Sequence, residues 1–103
     1  DWLLGKKSEE WYQRTLISLR EKQKKIAKRN RELFDILGKD ASLGLRSIME
    51  LNRMMKDDPS NTKINTALEC VKIKEELWKI NETIKKVEDE MLRYGYKLPR
   101  DTI

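Results

Sequence analysis

The apolar residues between Cys70 and Tyr94 recur in steps that alternate between three and four residues. This seam consists of Cys70, Ile73, Leu77, Ile80, Ile84, Val87, Met91 and Tyr94. Such steps place the side chains along one narrow stripe of an α-helix, and a stripe of that width packs against another helix. The seam therefore predicts a chain whose structure and role depend on contacts between helices.

A second seam with the same alternation precedes it. It consists of Tyr12, Leu16, Leu19, Gln23, Ile26, Asn30, Leu33 and Leu37. Ser8 is a good N-cap and Gly38 a good C-cap, so helix 1 is predicted over residues 8–37. The polar members Gln23 and Asn30 have two interpretations: they fix the register of a buried seam, or they lie where the seam is wet.

Two further helices are predicted from the apolar pattern and from Gly and Pro. Helix 2 is expected over residues 41–56, with apolar side chains around most of its circumference and with Gly44 allowing a close approach by a neighbour. Helix 3 is expected over residues 59–94, because Asp58 can cap it, Pro59 suits its first position and Gly95 can end it. Residues 95–103 are expected to be extended.

Together these elements predict an all-α fold, an elongated three-helix bundle of long, short and long helices with coiled-coil-like seams. Charged residues make up 40% of the 103 residues, against roughly 25% in ordinary domains, which suits helices with large solvated faces. We expect one domain over residues 1–103. The chain begins at Asp1 without a methionine, so we also expect it to be a part of a larger protein.

Short turns predict that the chain runs up, down and up, with helices 1 and 3 parallel. Because helix 2 is half as long as its neighbours, both long helices would then extend beyond the bundle with uncovered seams. An uncovered seam indicates an interaction site. A homodimer is the leading interpretation, followed by a helical partner protein and by a monomer that closes on itself. The apolar N-terminal residues Trp2, Leu3 and Leu4 are expected to dock back onto the bundle.

The sequence contains no pattern that indicates catalysis. It has no histidine and one cysteine, its four glycines are scattered, and the pair Asp57 and Asp58 is explained by helix capping. We therefore expect no enzyme activity, no metal site, no cofactor and no small-molecule substrate.

The strongest charge contrast lies between Arg20 and Arg31. Seven basic residues occur there and only Glu21 opposes them. A basic helix can bind the phosphates of nucleic acid, an acidic protein surface or, less consistently with this sequence, an acidic membrane. It can also be a solvated face without a ligand. The candidate basic patch comprises Lys22, Lys24, Lys25, Lys28, Arg29 and Arg31.

The leading hypothesis for function is a non-enzymatic protein–protein interaction domain, a scaffold or adaptor that self-associates or docks a partner helix through its seams. Its predicted binding residues are Tyr12, Leu16, Leu19, Leu77, Ile80, Ile84, Val87 and Met91. The alternative is a nucleic-acid-binding helical domain that uses the basic patch. The single cysteine and the absence of a long apolar run favour an intracellular location, in the cytoplasm or nucleus.

Overall fold

The computed structural model describes residues 7–99 of the chain. They form three α-helices, α1 (Glu9–Leu37), α2 (Ile48–Asp57) and α3 (Thr62–Arg93), with a 3-10 segment (Gly38–Leu45) between the first two. The protein is an all-α three-helix bundle, which confirms the predicted fold class. The predicted docking of Trp2, Leu3 and Leu4 lies outside the described residues.

Both ends of α1 and the end of α3 are set by local chemistry that the sequence predicted. At the start of α1, the hydroxyl of Ser8 accepts a hydrogen bond of 3.2 Å from the amide of Trp11. Gly38 and Gly95 follow α1 and α3 with φ angles of 55° and 73°, in the left-handed region that favours glycine. After Gly95, the amide of Tyr96 donates to the carbonyl of Met91, which completes a helix-ending motif.

The prediction of one continuous helix over residues 41–56 is wrong. The 3-10 segment ends at Leu45, Arg46 is extended, and α2 begins only at Ile48. The cause is an N-cap at Ser47: the amide of Glu50 donates to the Ser47 hydroxyl at 3.1 Å, and that hydroxyl also lies 3.4 Å from the Glu50 carboxylate. A residue that caps a helix has extended backbone angles, so it cannot continue the preceding turn.

The predicted start of helix 3 is also too early. Pro59 and Ser60 form a turn, and α3 begins at Thr62. The cap is Asn61, whose side-chain oxygen accepts a hydrogen bond of 3.0 Å from the amide of Lys63. Asn61 is as good an N-cap as Asp58, and it is placed after the turn that Pro59 favours.

The chain divides into two compact units, here called unit 1 and unit 2. Unit 2 comprises residues 25–78, which include the end of α1, the 3-10 segment, α2 and the start of α3. Its buried core consists of Leu33, Leu37, Leu51, Ile64, Ala67 and Cys70. Phe34 packs against this core, and a Cβ atom added at Gly44 would lie 2.9 Å from the Phe34 ring. Gly44 thus provides the close approach that the sequence predicted.

Unit 1 comprises, among the described residues, 7–24 and 79–99. Its buried side chains are Tyr12, Leu16, Ile80, Ile84 and Met91. The aromatic rings of Tyr12, Tyr94 and Tyr96 lie within 6.0 Å of one another, centroid to centroid. These contacts close the unit around the start of α1.

The long helical segments run antiparallel within each unit, so the predicted parallel arrangement is wrong. In unit 1, Tyr12 lies beside Tyr94 and Arg20 binds Glu88. In unit 2, Arg29 binds Glu69, while Lys63 donates to the carbonyl of Leu37. Residues farther along α1 therefore contact residues nearer the start of α3. The short α2 is part of the connection between the long helices and is not a return path, so the predicted overhangs are absent from the described residues.

The described part of the C-terminal tail packs on the start of α1. Lys97 anchors it twice: its amide donates to Glu9 and its carbonyl accepts from Gln13, each at 2.9 Å. The hydroxyl of Tyr96 donates to the carbonyl of Lys7 at 3.2 Å. Residues 96–99 have no regular secondary structure, which agrees with the predicted extended tail up to Pro99.

Candidate interaction surfaces

The predicted seam residues lie at the contacts between helices, and the chain itself covers them. Tyr12, Leu16 and Met91 are at most 1% exposed. The two other core positions, Ile80 and Ile84, are 8% exposed, and Leu19, Leu77 and Val87 are half-buried. The register of both seams is therefore as predicted, but within each unit they face this chain's own helices. A partner helix could reach them only if those helices separated.

Polar residues set the register of the helix pair in unit 1. The amide of Gln23 donates to the side-chain oxygen of Asn81 at 2.6 Å. One turn away, Arg20 donates to Glu88 at 3.0 Å and to the carbonyl of Pro99 at 3.1 Å. Both interpretations of Gln23 apply in part: its amide has a specific partner on α3, and this hydrogen bond is exposed, where the seam is wet. In unit 2 the side-chain oxygen of Asn30 is buried without a hydrogen bond among the described residues.

The basic patch lies on the solvent side of α1. All six predicted members are exposed: Lys22 and Lys24 in unit 1, and Lys25, Lys28, Arg29 and Arg31 in unit 2. In unit 2 the positions of Lys25, Lys28 and Arg31 follow one another every three residues, which places them about 4.5 Å apart along the helix axis. The three cations form a short row on one helical segment.

Two arginines of the basic stretch have structural roles. Arg29 lies within 3.3 Å of both oxygens of Glu69 and 3.7 Å from Glu32. Arg20 is held by Glu88 and the tail. In contrast, Lys25, Lys28 and Arg31 make no ion pair or hydrogen bond with another described residue. These three cations, the α1 row, are therefore available to a ligand.

The surroundings of the α1 row are open to solvent. The exposed large apolar side chains of residues 7–99 include none between positions 18 and 35. A wide depression on this side of α1 is lined by Lys28, Asn30, Arg31, Glu32, Phe34 and Asp35. Phe34 is covered by Gly44 and by the ammonium group of Lys74, which lies 4.8 Å from its ring centroid. The chain itself thus occupies part of the ring surface, which leaves less of it for stacking against a ligand.

Sequence analysis missed a second surface, on unit 2. Leu45 is 74% exposed, Met49 73% and Trp78 64%. The apolar residues around the helix predicted over residues 41–56 included Leu45 and Met49, so the sequence did not single them out as exposed. The signal that could have done so is the spacing of Ser47 and Glu50, which is typical of a helix start, since a new start at Ile48 turns Met49 outward.

The described residues contain no candidate metal site, and two of their titratable groups have a raised pKa. Residues 7–99 contain no cluster of three or more His, Cys, Asp or Glu side chains arranged to hold a metal ion. Cys70 is fully buried, and this burial raises the pKa of its thiol above the usual value, so the reactive thiolate is disfavoured. Burial, followed by the nearby carboxylate of Glu90, raises the pKa of Tyr12 to about 12. None of the helices formed by residues 7–99 is long and apolar enough to span a membrane.

Comparison with known proteins gives no independent indication of function. No protein-family model matches the chain, and neither a curated protein nor a solved structure shows significant similarity to it.

Proposed function

We propose that this protein is a non-enzymatic binding module that holds the phosphate backbone of double-stranded nucleic acid on the α1 row. The observation that carries this proposal is the exposure of Lys25, Lys28 and Arg31 without acidic partners among the described residues. Three unpaired cations on one helical segment can replace the counterions of successive phosphates, and the release of those counterions drives binding.

The composition of the surface favours nucleic acid over an acidic protein. Protein interfaces derive most of their affinity from buried apolar or aromatic anchors. No large apolar side chain is exposed between residues 18 and 35, so charge is the main attraction that this surface offers. The only aromatic residue in that range, Phe34, is covered by Gly44 and Lys74, which disfavours base stacking and thus a single-stranded ligand.

The seam hypothesis has less support as a description of function. Tyr12, Leu16 and Met91 are at most 1% exposed within the chain, and their burial contributes to its stability. Docking a helix there would first expose this core. We therefore rank partner binding through the seams below binding of nucleic acid by the α1 row.

The test is the salt dependence of binding to a short DNA duplex between 50 and 200 mM salt. We expect binding that weakens steeply with salt and does not depend on base sequence. The variant Lys25→Glu/Lys28→Glu/Arg31→Glu should lower the slope of log K against log salt by about 3. Arg29 is left intact because its ion pair with Glu69 belongs to the fold.

A matched control is the variant Lys72→Glu/Lys79→Glu/Lys86→Glu. These lysines are exposed, lie along one stripe of α3 and make no ion pair with a described residue. The control has the same net charge as the α1 variant. If the binding site lies on α1, the slope of log K against log salt for the control should stay close to that of the unmodified protein. Equal loss in both variants would show attraction to overall charge only, and the absence of binding at 50 mM salt would refute the proposed function.

A further inference from the structure

The three most exposed large apolar side chains among residues 7–99 all belong to unit 2. Leu45, Met49 and Trp78 are between 64% and 74% exposed, whereas the inward side of α2 presents Leu51 to the core at 0%. An exposed tryptophan with two exposed aliphatic neighbours is typical of an interaction surface, because tryptophan is enriched among residues that dominate binding energy.

A hydrogen bond between α3 and the 3-10 segment indicates that these three residues lie on one side of unit 2. The ammonium group of Lys74 donates to the carbonyl of Gly44 at 3.1 Å, which ties the end of the 3-10 segment to α3. Leu45 follows Gly44 directly, and Trp78 lies one helical turn after Lys74. The N-cap at Ser47 then places Met49 in the first turn of α2, four residues after Leu45. We call Leu45, Met49 and Trp78 the apolar surface.

The charges beside the apolar surface are positive on the side of α2. Arg53 and Lys56 lie four and seven residues after Met49, on the same stripe of that helix. Both are exposed and neither makes an ion pair with a described residue. Glu50 is bound by Arg46 at 3.0 Å, so its charge is already compensated. On α3, Glu75 and Glu76 precede Trp78 and would repel a negatively charged ligand group. Such a group is therefore expected to lie over α2.

We propose that the apolar surface docks an acidic linear segment of another protein that carries bulky apolar side chains. The apolar side chains of the segment contact Leu45, Met49 and Trp78, and its carboxylates lie against Arg53 and Lys56. Charge complementarity selects this occupant over a second copy of the chain, because a copy would bring the same two cations to the surface. This inference uses none of the residues of the α1 row and goes beyond the proposed function.

The experiment is a titration of the full, isotope-labelled chain with synthetic peptides, followed by amide and indole NMR shifts. The probe is a peptide in which pairs of Asp or Glu alternate with Phe or Leu, and its control carries Lys at every acidic position. We expect the acidic peptide to shift the amides of residues 45–56 and the indole N–H of Trp78. The basic peptide should leave these signals unchanged.

Variants separate the two parts of the surface. We expect each of two double variants to lower the affinity for the acidic peptide by about 10-fold or more. They are Arg53→Glu/Lys56→Glu and Leu45→Ser/Met49→Ser. All four residues are exposed, and circular dichroism checks that the variants fold. The charge-matched control Lys85→Glu/Lys86→Glu should change the affinity by less than about twofold, since these exposed lysines belong to unit 1.

Three outcomes would overturn the inference. One is equal binding of the peptide that carries lysines in place of its acids, and another is a set of shifts that map to residues 25–31 and disappear in the α1 variant. Concentration-dependent shifts of Leu45, Met49 and Trp78 without any peptide would assign the surface to self-association. None of these results bears on the salt dependence of duplex binding, so failure here and failure of the proposed function remain distinguishable.

Discussion

Two residues determine how tightly each unit can pack, Tyr12 in unit 1 and Gly44 in unit 2. Tyr12 is 1% exposed, and its hydroxyl makes no hydrogen bond with a described residue. Gly44 is buried against the ring of Phe34, where any larger residue would meet the ring. Tyr12 thus buries a polar atom, and Gly44 lies where there is no room for a methyl group. A measurable prediction follows for each residue.

Tyr12 should make the stability of the fold depend on pH in the alkaline range. The pKa of its phenol is raised from 10.0 to about 12, mainly by burial, so the fold favours the neutral form. The contribution of the neutral Tyr12 to the free energy of unfolding is fully present below pH 10, where the phenol of the unfolded chain is also neutral. It is lost as the pH rises from 10 to 12, because the unfolded chain then releases this proton before the folded chain does. Urea unfolding at a series of pH values should therefore show a falling midpoint over that interval.

The control for this titration is Tyr12→Phe. We expect the variant to lose the part of the alkaline decline that belongs to Tyr12 and to keep the part due to other groups. Near pH 7 its unfolding free energy should be unchanged or higher by up to about 1 kcal/mol, because an unsatisfied buried hydroxyl is removed. An alkaline decline identical to that of the unmodified protein would contradict the role assigned to Tyr12.

Gly44→Ala should destabilise the protein by about 1–3 kcal/mol, because the new methyl group would lie 2.9 Å from the Phe34 ring. The measurement is urea unfolding at neutral pH. In a chain that carries Phe34→Leu, Gly44→Ala should cost less unfolding free energy than it does in the unmodified chain, since the ring that the methyl group meets is gone. Equal stability of Gly44→Ala and the unmodified chain would show that the close approach is not required.

At the level of elements, the helices and the registers of both seams could be predicted, while the path between them could not. The alternation of steps from Cys70 to Tyr94 depends only on the period of a helix, and all its members lie in the contact or at its edge. The direction of pairing depends instead on short-range turn chemistry. Ser47 with Glu50 starts a helix that continuous apolar content had concealed, and Asn61 replaces Asp58 as a cap.

The same reasoning explains which parts of the candidate sites were predicted. The exposure of Lys25, Lys28 and Arg31 follows from their positions opposite the seam. The exposure of Leu45 and Met49 does not follow from composition, because it depends on the break at Arg46. The partner of Arg29 was equally hidden, since it depends on the antiparallel pairing with Glu69.

Ser47→Ala should weaken the start of α2 and with it the apolar surface. Losing an N-cap costs about 1 kcal/mol, within a range of roughly 0.5–2 kcal/mol. Urea unfolding gives the loss in stability, and amide hydrogen exchange should show its concentration in residues 48–57. Ser42→Ala is a suitable control because no hydrogen bond to its side chain occurs among the described residues. Equal effects of the two substitutions would exclude the capping role.

At the scale of the whole molecule, the seams act as the interior of the protein. In unit 1 they join residues 9–24 to residues 79–93, and in unit 2 they join the end of α1 to the start of α3. A change in a seam residue should therefore affect folding itself, whereas a change in the α1 row should affect binding alone. This distinction separates the two hypotheses drawn from the sequence.

Ile80→Asp/Ile84→Asp is expected to destabilise the chain by at least about 4 kcal/mol, because each substitution places a charge at an 8% exposed core position. Loss of helical circular dichroism and of amide protection in residues 9–24 and 79–93 would be the observed result. Light scattering provides the alternative outcome. A well-folded variant whose mass falls from two chains to one would show that these residues hold a dimer.

The pairing of Tyr12 with Tyr94 also affects how the protein is made. The two residues are separated by 82 positions along the chain, and a ribosome adds about 5–20 residues per second. The first seam residues of unit 1 thus spend roughly 4–16 s without their native partners, while the contacts of unit 2 can form earlier. We therefore expect general chaperones to bind the apolar seam of the nascent α1, and slower translation to prolong the interval in which they can do so.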